Sequence, residues 1–167
     1  MAGRGRRPTR IFFAADIHGS EVTFRKFVAA AGFYEADVLV FGGDLMGKAF
    51  VPIVRDAGGQ YRAHFAGEDL VMDDDRLEPF VREVERAGFY WKVMEPDEYG
   101  AASDDPLEQR GLFVDAARKR LSTWLDYSED RLAGTGVRLW MTGGNDDEPG
   151  VLEVLDELRG PWPDAGD

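Results

Sequence analysis

The sequence predicts an α/β fold built on a parallel sheet, and three observations carry that prediction. Two continuous apolar runs, Ile11-Phe12-Phe13-Ala14-Ala15 and Val38-Leu39-Val40-Phe41, flank a stretch whose apolar residues recur at helical spacing. Such runs suit strands buried on both faces, and a β-α-β order with short links favours a parallel pair with a right-handed crossover. A third run, Val137-Arg138-Leu139-Trp140-Met141, ends like the first two in a short polar signature. Finally, 44% of the 167 residues are hydrophobic. That is enough for a real core, and the length fits one domain of roughly 100–200 residues.

Residues 1–9 read as a flexible basic tail, with Arg4, Arg6 and Arg7 inside it and Arg10 at its edge; the domain occupies 10–167. After the first strand, Ser20 is a natural N-cap, with Glu21 and Thr23 in the first turn. Val22, Phe24, Phe27, Val28 and Ala31 form the inward stripe, and Gly32 is the stop signal. Phe50-Val51-Pro52-Ile53-Val54 and Gln60-Tyr61-Arg62-Ala63-His64-Phe65 flank Asp56-Ala57-Gly58-Gly59, the pattern of a β-hairpin. Asp73-Asp74-Asp75 precede Leu77, Phe80, Val81 and Val84, an amphipathic helix that ends near Gly88. Tyr90–Met94 is a short strand. Asp105-Pro106 matches an N-cap with Pro at N1. It opens a long helix to about Leu132, with Leu112, Phe113, Ala116, Leu121, Trp124 and Leu125 facing inward. Gly134-Thr135-Gly136 breaks that helix before the third strand. Pro149 starts a last helix with Val151, Leu152, Val154, Leu155 and Leu158 as its apolar set, and the end from Gly160 is loop-like.

Composition excludes several function classes. Lys and Arg number 20 against 32 Asp and Glu, a formal charge of −12. That sign opposes broad duplex nucleic-acid binding. No apolar stretch reaches about 18 residues, so no membrane span is expected. The run Ile11–Ala15 is too short for a signal-peptide core, which points to the cytoplasm. The chain has no cysteine, hence no disulfide framework and no thiolate metal site. Neither Gly-x-Gly-x-x-Gly nor a Walker pattern follows the first strand.

The chemistry lies at the strand tips. The first strand leads to Asp16-Ile17-His18, the second to Gly42-Gly43-Asp44, and the third to Gly143-Gly144-Asn145-Asp146-Asp147. Carboxyl ends of neighbouring parallel strands form the ligand crevice of an open α/β sheet. Two carboxylates about 4 Å apart repel by roughly 4 kcal/mol at an effective dielectric of 20. Convergence therefore calls for protonation or for a cation between them. Asp and Asn oxygens with an imidazole suit Mn, Fe, Zn or Mg. A dinuclear centre with ions about 3.5–4 Å apart serves in-line phosphoryl hydrolysis.

These three blocks resemble the calcineurin-like metallophosphoesterase superfamily, whose first signatures are Asp-x-His, Gly-Asp and Gly-Asn-His-Asp/Glu. Here Asp16-Ile17-His18, Gly43-Asp44 and Gly144-Asn145-Asp146-Asp147 stand in the same order, each behind a strand. The resemblance implies the N-terminal part of an α/β/β/α sandwich and a hydrolase of phosphomono- or diesters that uses two divalent ions. It implies that Asp16 and His18 bind the first ion, that Asp44 bridges, that Asn145 binds the second, and that water between the ions attacks phosphorus. Asp146 stands where the family has a catalytic His. The run Gly-Asp-Leu-Met-Gly-Lys followed by Gly-Asn-Asp-Asp resembles a prokaryotic subgroup in which Asp is usual there.

Two further departures matter. Asp44 and Asn145 are 101 residues apart (145 minus 44), more than the family's usual spacing, so 49–135 reads as a cap-like insertion. No histidine follows Asn145, whereas the family supplies a His and a Gly-His-x-His downstream. The domain therefore reads as C-terminally incomplete, and the alternative function is a non-catalytic fragment or binding scaffold of the same fold. Lys48, four residues after Asp44, is the candidate contact for a small phosphoester substrate, with an exposed loop lysine as the plainer reading. His64 precedes the Asn block and suits a structural or surface role.

Overall fold

The computed structural model describes residues 7–156. The expected tail over 1–6, Leu158 of the last helix and the loop-like end from Gly160 lie outside the described residues. The chain is a mixed α/β protein. Its elements in order are β1 (Ile11–Ala14), α1 (Glu21–Phe33), β2 (Val38–Gly42), β3 (Phe50–Arg55), β4 (Tyr61–Phe65), β5 (Glu68–Met72), α2 (Asp74–Arg86), β6 (Tyr90–Met94), α3 (Pro96–Ser103), α4 (Pro106–Leu132), β7 (Arg138–Thr142) and α5 (Pro149–Asp156).

Two sheets form. The first has the order β1-β2-β7 and is parallel throughout, with Phe12 opposite Leu39 and Leu39 opposite Leu139. The second has the order β5-β4-β3-β6; its hairpins are antiparallel and β3 runs parallel to β6. The expected hairpin is therefore present, extended by β5. That strand went unread because Glu68 and Asp69 are poor strand formers. A tight turn with positive φ at Ala66 (54°) and Gly67 (84°) starts it. α3 was also unread: its Pro96 sits in the first turn, but it offers only Ala102 to the interior.

Helix boundaries follow local chemistry. The Ser20 hydroxyl accepts from the Thr23 N–H at 3.4 Å, and the Asp105 carboxylate accepts from the Leu107 N–H at 2.8 Å. Each satisfies a donor that a helix start leaves without an intrahelical partner. α1, α4 and α5 cover one face of the first sheet. Their Phe24, Phe27, Leu121, Trp124, Val151 and Val154 pack with Leu39, Phe41 and Leu139. α2 covers the second sheet through Phe80 and Val84, against Val51, Ile53, Tyr61 and Met72. The segment 49–135 does more than sit over the domain, because Tyr90, Ala117, Leu121, Trp124 and Leu125 belong to the main core.

One expectation is corrected. β1 is not buried on both faces: Ile11 and Phe13 are each 64% exposed. β1 is an edge strand, and among the described residues helices cover only the face carrying Phe12 and Ala14. On the open face Phe13, Val40 and Trp140 share one register row, and the Phe13 ring lies over Gly42.

The start of β1 is fastened by charge. Asp37 accepts from the Arg10 backbone N–H at 2.8 Å and from the Arg7 guanidinium. The Arg10 bond, supported by the Arg7 charge, holds this carboxyl below the ordinary aspartate range. A lowered folded-state pKa contributes stability above the unfolded value, and that contribution disappears as pH falls through the folded pKa. The stability difference between wild type and Asp37→Asn is therefore expected to shrink on acidification below about pH 4. Denaturant titrations across pH measure it, and a pH-independent difference would refute the role.

Candidate functional site

Because β1, β2 and β7 are adjacent and parallel, their carboxyl ends lie along one edge. Asp16 and His18 follow β1, Asp44 follows β2, and Asn145 and Asp146 follow β7. The first two tips are joined by backbone. Asp16 N–H donates to the Gly43 carbonyl at 3.1 Å, His18 N–H to Asp44 O at 3.1 Å, and Gly19 N–H to Leu45 O at 2.8 Å. Three of the five non-glycine residues with positive φ among the described residues stand at these tips. Asp16, His18 and Asp44 have φ of 59°, 45° and 56°. That left-handed conformation costs an L-residue roughly 1–2 kcal/mol. Strain of this kind persists where surrounding structure enforces it, and it concentrates at functional sites.

The second and third tips meet through side chains. The Asp44 carboxylate accepts from the Asp146 N–H at 3.4 Å. The Asn145 amide donates to Asp146 Oδ1 at 2.8 Å, and Lys48 Nζ stands 3.7 Å from Asp146 Oδ2. Gly144 has to be glycine at this junction, because a Cβ would lie 2.5 Å from the Asp44 backbone nitrogen. Asp16, Asn145 and Asp146 are exposed, while Asp44 and His18 are half-buried.

Sequence reasoning gave no role to Asp147, which holds this junction together. Its carboxylate is buried and accepts three backbone N–H groups: Met46 at 2.8 Å, Gly144 at 2.8 Å and Leu45 at 3.1 Å. One side chain thus ties the loop after Asp44 to the loop after β7. The signal in the sequence was the Gly-x-x-Asp spacing from Gly144, which lets an Asp side chain turn back onto a local N–H.

The donor types at the three tips suit a divalent cation. His18 adds a specific observation: its Nδ1 is buried and has no hydrogen-bond partner among the described residues. An unsatisfied buried polar atom costs about 1–3 kcal/mol, and a cation would satisfy a deprotonated ring nitrogen. The carboxylates do not complete the set, since among the described residues no three His, Asp or Glu side chains stand together as a metal ion needs. His64 stands apart from the three tips. It lies on β4 in the other sheet, exposed, with Nδ1 2.8 Å from Asp69. Among the described residues no helix is long and apolar enough to cross a membrane. Comparisons with protein-family models, with curated proteins and with solved structures find no match for this chain.

Proposed function

We propose that the chain is a metal-dependent phosphoesterase of the calcineurin-like type, acting in the cytoplasm on a small phosphomono- or diester. The observation that carries this reading is the set of three polar tips on one sheet edge, with a buried His18 nitrogen that has no partner among the described residues. In this reading the two sheets belong to the N-terminal part of an α/β/β/α sandwich. Asp16 and His18 would hold one divalent ion, Asn145 would offer its amide oxygen to a second, and Asp44 would serve as the carboxylate shared between them. Such ions would supply Lewis acidity at a phosphoryl oxygen and would lower the pKa of a bound water. Lys48 attracts the substrate phosphate from an exposed position near Asp146. Asp146 sits between Lys48 and Asn145, next to Asp44, and orients the substrate or its leaving group.

Metal analysis of the full chain and hydrolysis of an aryl phosphodiester with Mn test the reading. About two ions per chain are expected, together with Mn-stimulated turnover. Asp44→Asn is expected to lower both metal occupancy and turnover, turnover by about 100-fold or more, since removal of even an outer-shell metal partner costs 10–100-fold. Neither ions nor turnover in the folded wild type would reject the enzyme and leave the non-catalytic scaffold.

A further inference from the structure

We propose that Arg120, on α4, is a positioning residue for His18; the proposal rests on the reading of His18 as a metal ligand. Arg120 lies 102 positions from His18 in sequence (120 minus 18), yet its guanidinium reaches the turn that follows β1. Nη1 donates to the Gly19 carbonyl at 2.9 Å. Nη2 stands 3.4 Å from the Phe89 carbonyl and 3.5 Å from Glu85 Oε1. The guanidinium carbon sits 5.2 Å from the centre of the Tyr90 ring, and the side chain is only 10% exposed. A guanidinium shared among two carbonyls, a carboxylate and a ring is a rigid clamp, because its donors lie in one fixed plane.

The clamp acts where the backbone has no slack. A Cβ at Gly88 would lie 2.1 Å from the His18 carbonyl oxygen, and one at Gly47 would lie 2.0 Å from the Gly88 carbonyl oxygen. The turns after β1 and β2 therefore touch the end of α2 directly, backbone on backbone. Tyr90 completes the contact by accepting the Gly47 N–H at 2.9 Å. Burial pushes the Tyr90 phenol pKa up, which keeps it neutral in this contact. His18 itself is held in a left-handed backbone conformation. Release of the Gly19 carbonyl would let that strain relax and turn the imidazole out of its setting.

The chain has just two histidines, so ring NMR signals of His18 and His64 are separable, with His64 as the internal reference. Arg120→Met is expected to shift or broaden the His18 ring signals in metal-free protein and leave those of His64 unchanged. Arg120→Lys, which keeps one donor within reach of the Gly19 carbonyl, is expected to fall between. Zn titration followed on the His18 signals should show affinity weakened about 10–100-fold in Arg120→Met, the range for loss of a group that orients a metal ligand. Unchanged His18 signals and unchanged Zn affinity in folded Arg120→Met would overturn the proposal. If Arg120→Met fails to fold, Arg120→Lys decides: altered His18 signals at an unchanged Tm support positioning, and wild-type signals overturn it. Wild type that binds no Zn while Arg120→Met still moves the His18 signals would reject the metal reading and keep the clamp.

Discussion

Asp147→Ala is expected to destabilise the chain by about 3–5 kcal/mol, because it strips a partner from three backbone donors at once. The carboxylate is 7% exposed and takes the N–H groups of Leu45, Met46 and Gly144. Each buried donor left unsatisfied costs about 1–3 kcal/mol, less where water can enter the gap. Hydrogen bonds to a charged acceptor are among the stronger ones, but water entering the gap holds the total in the lower half of the roughly 3–9 kcal/mol that three such donors sum to. For a chain of this size the loss corresponds to a Tm lower by roughly 8–15 °C. Asp147→Asn keeps one acceptor oxygen and should lie between Ala and wild type. The variant also uncouples the loop bearing Asp44 from the loop bearing Asn145, so hydrolysis or metal uptake should fall in whatever fraction stays folded. Thermal unfolding decides the matter. A Tm within about 2 °C of wild type, less than 1 kcal/mol on the same scale, would show that the three donors find other partners.

Trp124→Ala is expected to cost about 3–5 kcal/mol, the usual range for removing a large aromatic from a packed core. Trp124 is 2% exposed and stacks on Phe24, with ring centroids 4.4 Å apart and planes 5° from parallel. Its indole N–H donates to Glu21, which also takes the Arg25 Nε at 2.6 Å. The substitution therefore opens a cavity between α1 and α4 and removes one of the two donors to a carboxylate in the first turn of α1. Trp124→Phe keeps most of the stack and loses the polar bond, for a cost of about 1 kcal/mol. Urea titration of the three proteins separates packing from hydrogen bonding, and equal losses for Ala and Phe would assign the whole effect to the Glu21 contact.

Much of the fold was legible because the relevant signals are local. The apolar run Val38–Phe41 reads as a strand, and Ser20 and Asp105 read as caps, from neighbours within a few residues. The long α4 was legible from its spacing, yet its buried face includes Ser128, whose hydroxyl donates to the Trp124 carbonyl at 2.8 Å. A serine bonding back along its own helix is invisible to a hydrophobic pattern. β5 and α3 were missed for the opposite reason, since neither carries an apolar pattern strong enough to stand out. The site was legible in part: the three tips could be read, and Gly-x-x-Asp signals the local bond of Asp147 to Gly144, while the long-range contacts of Asp147 and Arg120 could not. Each of the latter acts through groups more than thirty or a hundred residues away, Arg120 on Gly19 and Phe89, Asp147 on Leu45 and Met46.

By itself, the sequence determined most of the strands and helices, β5 and α3 excepted, and which polar residues stand at three strand ends. Periodicity and backbone sterics act over a few residues, so those features are written locally. Only the tertiary structure decided that β2 lies between β1 and β7, that β1 keeps one face open, and that 49–135 contributes to the main core. The same holds for the hold that Asp147 and Arg120 exert on the turns at the site. These outcomes depend on which surfaces pack together and which buried donors find acceptors across the chain. A pattern read along one strand or helix carries no record of either.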